Sequence, residues 1–239
     1  MTQTLTVQDL QYKLYEKLKP SGWGDKLKTF VLSQDFENII KVLMKESSEG
    51  RRFVPEMKYI FGAFEACPYK DVKVIWFGQD PYPYYGVPDG IAFSCSRTGK
   101  VEKSLQYIFK EIEDTVYPNK GYTWDPDLSR WSKQGILMLN SALTVAVEKP
   151  GSHLDLWKPF MVFLLDMLKS YNPGLIYVFS GNRSKEYVEH LDEADEPFML
   201  YSTHPASAAY RKESKWDSND LFNKISNLTE KYYGTRIVW

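Results

Sequence analysis

Cysteine and histidine are scarce in this chain. Its 239 residues hold two cysteines, Cys67 and Cys95, and three histidines, His153, His190 and His204. The cysteines form no CxxC pair and sit in no metal-ligand pattern, so neither a disulfide framework nor a zinc site is expected, and both read as reduced thiols. No apolar stretch reaches the length of a membrane-spanning helix. The first ten residues combine neither a basic start nor an apolar run, so no secretory signal is expected and a cytoplasmic or nuclear setting follows. An excess of either charge is also missing. Thirty Lys and Arg stand against 31 Asp and Glu, a net charge of −1, which makes no whole-chain case for a polyanionic partner. A local basic patch stays compatible, because a groove feels only the field near it. There is no P-loop, GxGxxG, GxSxG or HExxH, which removes the common nucleotide, dinucleotide, acyl-transfer and zinc-protease readings. No linker-like or repetitive tract interrupts the chain. A single domain over 1–239 is expected, with a helical part at 1–52 and a core at 53–239.

Hydrophobic residues make up 43% of the chain and aromatics 15%, with 17 Tyr and 7 Trp. Most of these fill core and surface, but Tyr and Trp also suit sites that stack flat ligands. Four short apolar runs stand out, at 72–77, 135–139, 175–179 and 198–201, rich enough in β-branched and aromatic residues to read as buried strands. Helical spacing appears at 7–19, at 36–46 with Ser33 as its cap, at 55–65, 104–117, 157–170, 183–191 and 218–231. Pro159 would fall in the first turn of its helix. Residues 84–99 read as a loop and a short strand. Strand and helix alternate, which predicts an α/β fold: one layered domain with a central four-stranded parallel sheet flanked by helices on both faces.

Each apolar run ends in small or polar residues: Gln79-Asp80, Asn140-Ser141, Ser180-Gly181-Asn182 and His204. In a parallel sheet these ends share one edge, where ligands of α/β folds bind. Strands generally end in polar loops, and Asp80 between Pro81 and its neighbours could be a turn residue bonding its own backbone. Polarity alone does not explain one acid, one carboxamide and one imidazole. A carboxylate can orient water and stabilise a growing cation. A carboxamide reads a heterocycle edge with a donor and an acceptor. A neutral imidazole can donate to a developing oxyanion. His190 sits on a charged helix and reads as a solvated side chain, while His153, after Gly151-Ser152, reads as a loop or cap residue.

The blocks Gly78-Gln-Asp-Pro-Tyr82, Gly90-Ile-Ala-Phe93-Ser94, Trp131-Ser-Lys-Gln-Gly-Ile-Leu-Met-Leu-Asn140, Leu143-Thr144-Val145 and His204-Pro205 resemble family 1 uracil-DNA glycosylase in order and spacing from about Phe53 onward. The resemblance implies excision of uracil from single- and double-stranded DNA, with no metal or cofactor. It makes Asp80 the carboxylate that activates water at the sugar's anomeric carbon, and His204 the donor to uracil O2. It has Gln79 contact uracil mainly through backbone, Tyr82 exclude a C5 methyl, Phe93 stack on the flipped base and Asn140 read the O4/N3 edge. It also implies a monomer and a protein inhibitor of the family as a partner. A DNA-binding or replication-associated module that keeps the fold without chemistry is the alternative, and the presence of Asp80, Asn140 and His204 together argues against it.

Three segments depart from that pattern. The family's proline-rich segment ending in serine becomes Gly99-Lys-Val-Glu-Lys-Ser104, and its Gly-Ser phosphate loop becomes Gly181-Asn182. Ser104, Gly181 and Asn182 remain the expected DNA contacts, through backbone N–H groups where side chains differ. Pro83 stands where relatives carry histidine. After His204 the family places a leucine that wedges into the base stack. Here the loop runs Pro-Ala206-Ser207-Ala-Ala-Tyr210-Arg211. Ala206 and Ser207 are small, and Tyr210 and Arg211 are the candidates to replace the wedge. Weaker duplex penetration and relatively better use of single strands are expected, because unstacking costs less there.

Overall fold

The structure is a computed structural model that describes residues 6–171, 174–191, 198–213 and 215–239. The chain opens with three helices, α1 (Val7–Leu18), α2 (Trp23–Val31) and α3 (Gln34–Ser48). Thr6 and Asp9 form a reciprocal capping box at the start of α1, and the Ser33 hydroxyl accepts the Phe36 N–H at the start of α3, so two of the six ends of these helices are met by side-chain caps. Helix α2 was not anticipated, although Trp23, Leu27, Phe30 and Val31 are buried at helical spacing.

A two-residue strand β1 (Phe53–Val54) leads to a short helix α4 (Gly62–Ala66) and then to β2 (Val74–Gly78). Helices α5 (Lys103–Thr115) and α6 (Ser129–Ser132) precede β3 (Ile136–Asn140) and the short β4 (Val145–Ala146). The long helix α7 (Leu154–Tyr171) is followed by β5 (Ile176–Ser180), α8 (Asn182–Lys185), β6 (Met199–Ser202), α9 (Pro205–Tyr210) and α10 (Leu221–Tyr233). Strands β1 and β4 pair antiparallel. The main sheet runs β3-β2-β5-β6, with every neighbouring pair parallel.

The strands alternate strictly between two cores, as a two-residue period requires. Ile75, Phe77, Leu137, Leu139, Tyr177 and Phe179 pack with the N-terminal helices, α4 and α7. Val74, Trp76, Ile136, Met138, Ile176 and Val178 pack with α5, α10, Trp131 and the terminal Trp239. Both faces are covered, which is why β2, β3 and β5 are buried along their full length and read as unbroken apolar runs.

Several expected elements differ. The helix expected at 55–65 is a 3-10 turn at Met57–Tyr59 followed by α4. No strand forms within 84–99, which is instead a series of turns. Helix α7 begins at Leu154, so Pro159 lies in its second turn and leaves the Asp155 carbonyl without an i+4 donor. The helix expected at 183–191 divides into α8 and a 3-10 turn, Val188–His190. The segment after His204 is not a loop but helix α9.

Candidate active site

The carboxyl ends of β2 and β6 open onto one cavity of about 400 Å³. Asp80 and His204 both line it, together with Gln79, Tyr82, Phe93, Ser104, Ala206 and Tyr210. Its size is that of an ordinary small-ligand site. Asp80 and His204, expected on one edge of the sheet, therefore share a cavity.

Asp80 follows directly from β2, where Pro81 and Pro83 stop the chain from continuing as strand. Its Oδ1 accepts from the Gln79 side-chain amide at 3.1 Å, and its Oδ2 accepts from the Gly151 backbone N–H. Burial pushes its carboxyl above the usual range, and the Gly151 and Gln79 bonds, with the nearby His153, pull the other way. The side chain is thus not bonding its own backbone as an isolated turn residue would; one of its two partners lies on a distant segment.

His204 ends the segment after β6. The Ala206 N–H donates to its Nδ1 at 3.2 Å. A ring nitrogen that accepts carries no proton, so the hydrogen of the neutral ring resides on Nε2. Burial lowers the His204 pKa to about 4, and near neutral pH the ring is an uncharged donor. Gly181 explains how the ring fits: it has φ +91°, and a Cβ there would lie 2.9 Å from His204 Cβ. The glycine at the end of β5 is required by close approach of the histidine.

Tyr82 and Phe93 form part of the wall. The Tyr82 hydroxyl donates to the Phe93 carbonyl at 3.2 Å, and the Phe93 ring lies 5.7 Å from the His204 ring. Phe93 has φ +64°, a region costly for a bulky side chain and maintained only where surroundings over-determine it. The Asp89 carboxylate supplies that constraint. It accepts from Ile91 N, Ser94 Oγ, Ser96 N and Ser96 Oγ, at 2.5–3.2 Å. Asp89 was not anticipated as a site-building residue; its place two residues before Ile91 in a turn-rich segment is the only local signal.

Asn140 ends β3 in register with Gly78 of β2. It is buried and does not line the open cavity. A Cβ on Gly78 would lie 2.5 Å from Asn140 Oδ1 and 3.5 Å from the Phe93 ring. The carboxamide therefore sits behind the strand end, close to Phe93, in space that only a glycine leaves.

The expected DNA contacts divide. Ser104, in the first turn of α5, Ala206 and Tyr210 line the cavity. Tyr210 is 85% exposed. Ser207 Oγ is buried without a hydrogen-bond partner. Gly181 and Asn182 lie outside the cavity lining, at the start of α8. Arg211 is turned to Glu213 in a two-bond ion pair, at 2.8 and 3.1 Å, on a separate groove with Trp216 and Lys215. His190 is only part-exposed, and its Nε2 is buried without a hydrogen-bond partner. His153 stands immediately before α7, as a cap residue would, but its ring is 3% exposed and bonded on both nitrogens. Among the described residues no helix is long and apolar enough to cross a membrane.

The sequence model of the Uracil DNA glycosylase superfamily matches residues 64–227. The uracil-DNA glycosylase of Borrelia turicatae is 33% identical over 191 residues, 77% of this chain and 82% of that protein. That of Christiangramia forsetii is 30% identical over 219 residues, 91% and 97% of the two chains. Among solved structures, mimivirus uracil-DNA glycosylase superposes with a TM-score of 0.80 at 24% identity, over 94% of this chain and 88% of that one. A point variant of mimivirus UNG, solved in complex with UGI, superposes with a TM-score of 0.79 at 24% identity, over 93% and 90%. The motif blocks that converge on the cavity fall within the matched span, and the chain belongs to the uracil DNA glycosylase superfamily.

Proposed function

We propose that this protein hydrolyses the N-glycosidic bond between uracil and deoxyribose in DNA, releasing free uracil and leaving an abasic site, the first step of base-excision repair. Asp80 and His204 on one cavity carry this reading. As the C1′–N1 bond lengthens, the sugar becomes cationic and the bonding pair moves onto uracil. The Asp80 carboxylate stabilises that cation and orients a water whose oxygen bonds to C1′, and it takes up the water's proton. His204 Nε2–H donates to uracil O2 as charge collects there. A neutral donor suits that task, since Nδ1 is already occupied by Ala206 and burial holds the pKa near 4.

Selectivity follows from the walls. Phe93 is the stacking platform, and its ring lies beside His204. Tyr82 stands against C5 and rejects a methyl group. Asn140 contributes a donor and an acceptor to the O4/N3 edge, and cytosine mismatches that pair. Gln79 lies at the base of the same loop and offers backbone. The nucleotide reaches this cavity only when rotated out of the stack. Tyr210, exposed on the cavity rim, takes the place of a leucine wedge, and Ser104, Gly181, Asn182, Ala206, Ser207 and Arg211 serve the flanking backbone. The protein acts as a monomeric single domain over 1–239 in the cytoplasm, or in a nucleus if its host has one. The UGI complex of the mimivirus variant supports a protein inhibitor as a partner here too.

Release of free uracil from single- and double-stranded oligonucleotides containing dU, with a chelator present, tests the reading. Asp80→Asn is expected to lower the rate by roughly 10²- to 10⁴-fold. Undiminished release by that variant removes Asp80 from its role, and DNA binding without any release favours a non-enzymatic module. A duplex-to-single-strand ratio as high as in leucine-bearing relatives overturns the expected single-strand preference.

A further inference from the structure

Asp80 is held by a turn, and that turn is held by residues outside the cavity. The Gly151 N–H that donates to Asp80 Oδ2 belongs to a tight reversal. Lys149 O accepts from Ser152 N at 3.2 Å, and Ser152 Oγ accepts from Ala146 N at 2.9 Å. Two residues beyond Gly151, the His153 ring is clamped. Its Nδ1 lies 2.9 Å from Thr144 Oγ1, and its Nε2 lies 3.0 Å from Glu46 Oε2. Glu46 stands in the last turn of α3, 107 residues away in sequence.

The protons in this chain of contacts can be placed. Trp157 Nε1–H, which can only donate, takes a lone pair of Thr144 Oγ1 at 2.7 Å. The Glu46 carboxylate can only accept, so the proton of the neutral ring sits on Nε2, and His153 Nδ1 accepts the Thr144 hydroxyl hydrogen. This is the arrangement in which a third group sets the tautomer and orientation of an imidazole. Here the imidazole does not face substrate. What it fixes is the backbone that leads into Gly151.

We propose that Glu46 and His153 are positioning residues for catalysis: the bridge from Glu46 through His153 to Thr144 locks the turn whose Gly151 N–H aims the Asp80 carboxylate. The proposal rests on the role assigned to Asp80 above. It couples the N-terminal helical part, which carries none of the motif blocks, to the reacting centre. A displacement of about 1 Å at such a group can cost roughly 10²-fold in rate.

The pH dependence has a definite sign. Asp80 faces His153, the Gln79 amide and the Gly151 N–H, with His204, Glu102 and Lys103 on the same cavity. His153 faces Asp80 and Glu46, and Arg51 lies 3.9 Å from Glu46 on the far side. The Gly151 bond favours the ionised form of Asp80. Loosening the turn weakens that bond, raises the pKa of Asp80 and moves the acid limb of kcat to higher pH.

The experiment measures kcat and KM against pH on a single-stranded dU oligonucleotide, with melting temperature recorded, for wild type, Asp80→Asn, Glu46→Ala, Glu46→Gln and Thr144→Val. Glu46→Ala is expected to lower kcat by roughly 10-fold or more with KM little changed, and to shift the acid limb upward. Glu46→Gln keeps an acceptor for Nε2–H and restores both. Thr144→Val keeps the side-chain shape and gives the same upward shift if Glu46→Ala does not fold. Folded Glu46→Ala or Thr144→Val with wild-type kcat and acid limb overturns the proposal, as does Glu46→Gln as impaired as Glu46→Ala. If Asp80→Asn keeps full activity, the assignment of Asp80 fails first and carries the proposal with it. A dead Asp80→Asn beside a normal Glu46→Ala overturns the positioning role alone.

Discussion

Gly78→Ala is the sharpest perturbation of the pocket, because it adds one methyl group whose single close contact is the Asn140 carboxamide. Gly78 lies inside β2 and is not among the glycines with positive φ, so an alanine suits its backbone. The new Cβ would stand 2.5 Å from Asn140 Oδ1, while Ala92 and Phe93 lie at an ordinary 3.5 Å. Only the carboxamide must move, and it must retreat by about 0.9 Å, the difference between 2.5 Å and the 3.4 Å of normal contact. A misplacement of that size at a group that orients substrate costs roughly 10²-fold, or about 2.7 kcal/mol of transition-state stabilisation at 1.36 kcal/mol per tenfold. Stability should change little. Replacing Gly in a strand is worth about 0.5–1 kcal/mol, which offsets much of the local crowding. The assay is kcat/KM for uracil release, with melting temperature alongside, in a cycle with Asn140→Ala. If the methyl acts through Asn140, Asn140→Ala and the double variant are equally impaired. Wild-type kcat/KM in Gly78→Ala, or additive losses in the double variant, would refute the reasoning.

Protonation of His204 supplies a second prediction. Its folded pKa of about 4 lies below the ordinary 6.5, so the unfolded state binds more protons between these values. Stability is whole above pH 6.5 and falls by roughly 3 kcal/mol as pH drops to about 4. His204→Gln should flatten the melting temperature over that window, and a profile parallel to wild type sinks the assignment. Tyr210→Ala should lower release from duplex by about 5- to 150-fold, corresponding to a stacking contribution of roughly 1–3 kcal/mol, while single-strand release changes little. Equal losses on both substrates would show that Tyr210 is not a wedge. Asp89→Ala removes the acceptor that holds four donors around Phe93. It should cost about 2–3 kcal/mol of stability and raise KM, and an unchanged KM would detach Phe93 from Asp89.

The four apolar runs, the parallel sheet and the polar residues at its carboxyl edge were legible in the chain because each is a local pattern. A run such as 72–77 must be buried on both faces, and Pro81 and Pro83 must end it. Helix α2 was equally local and was missed, since Gly22, Gly24 and Lys residues obscured the spacing of Trp23, Leu27, Phe30 and Val31. The turn structure of 84–99 left no periodic signal, and the strand expected there does not exist.

What the amino-acid order determined by itself was which elements form and which chemical groups stand at their ends. Tertiary packing alone decided what those groups do to one another. It set Asn140 behind Gly78, seated His204 against Gly181 and brought Glu46 to His153 across 107 residues. Backbone propensity acts over a few neighbours and can be read from them. Hydrogen bonds and steric contacts between distant segments come into being only when two faces of a sheet are covered at once and the chain has no other way to fill the space.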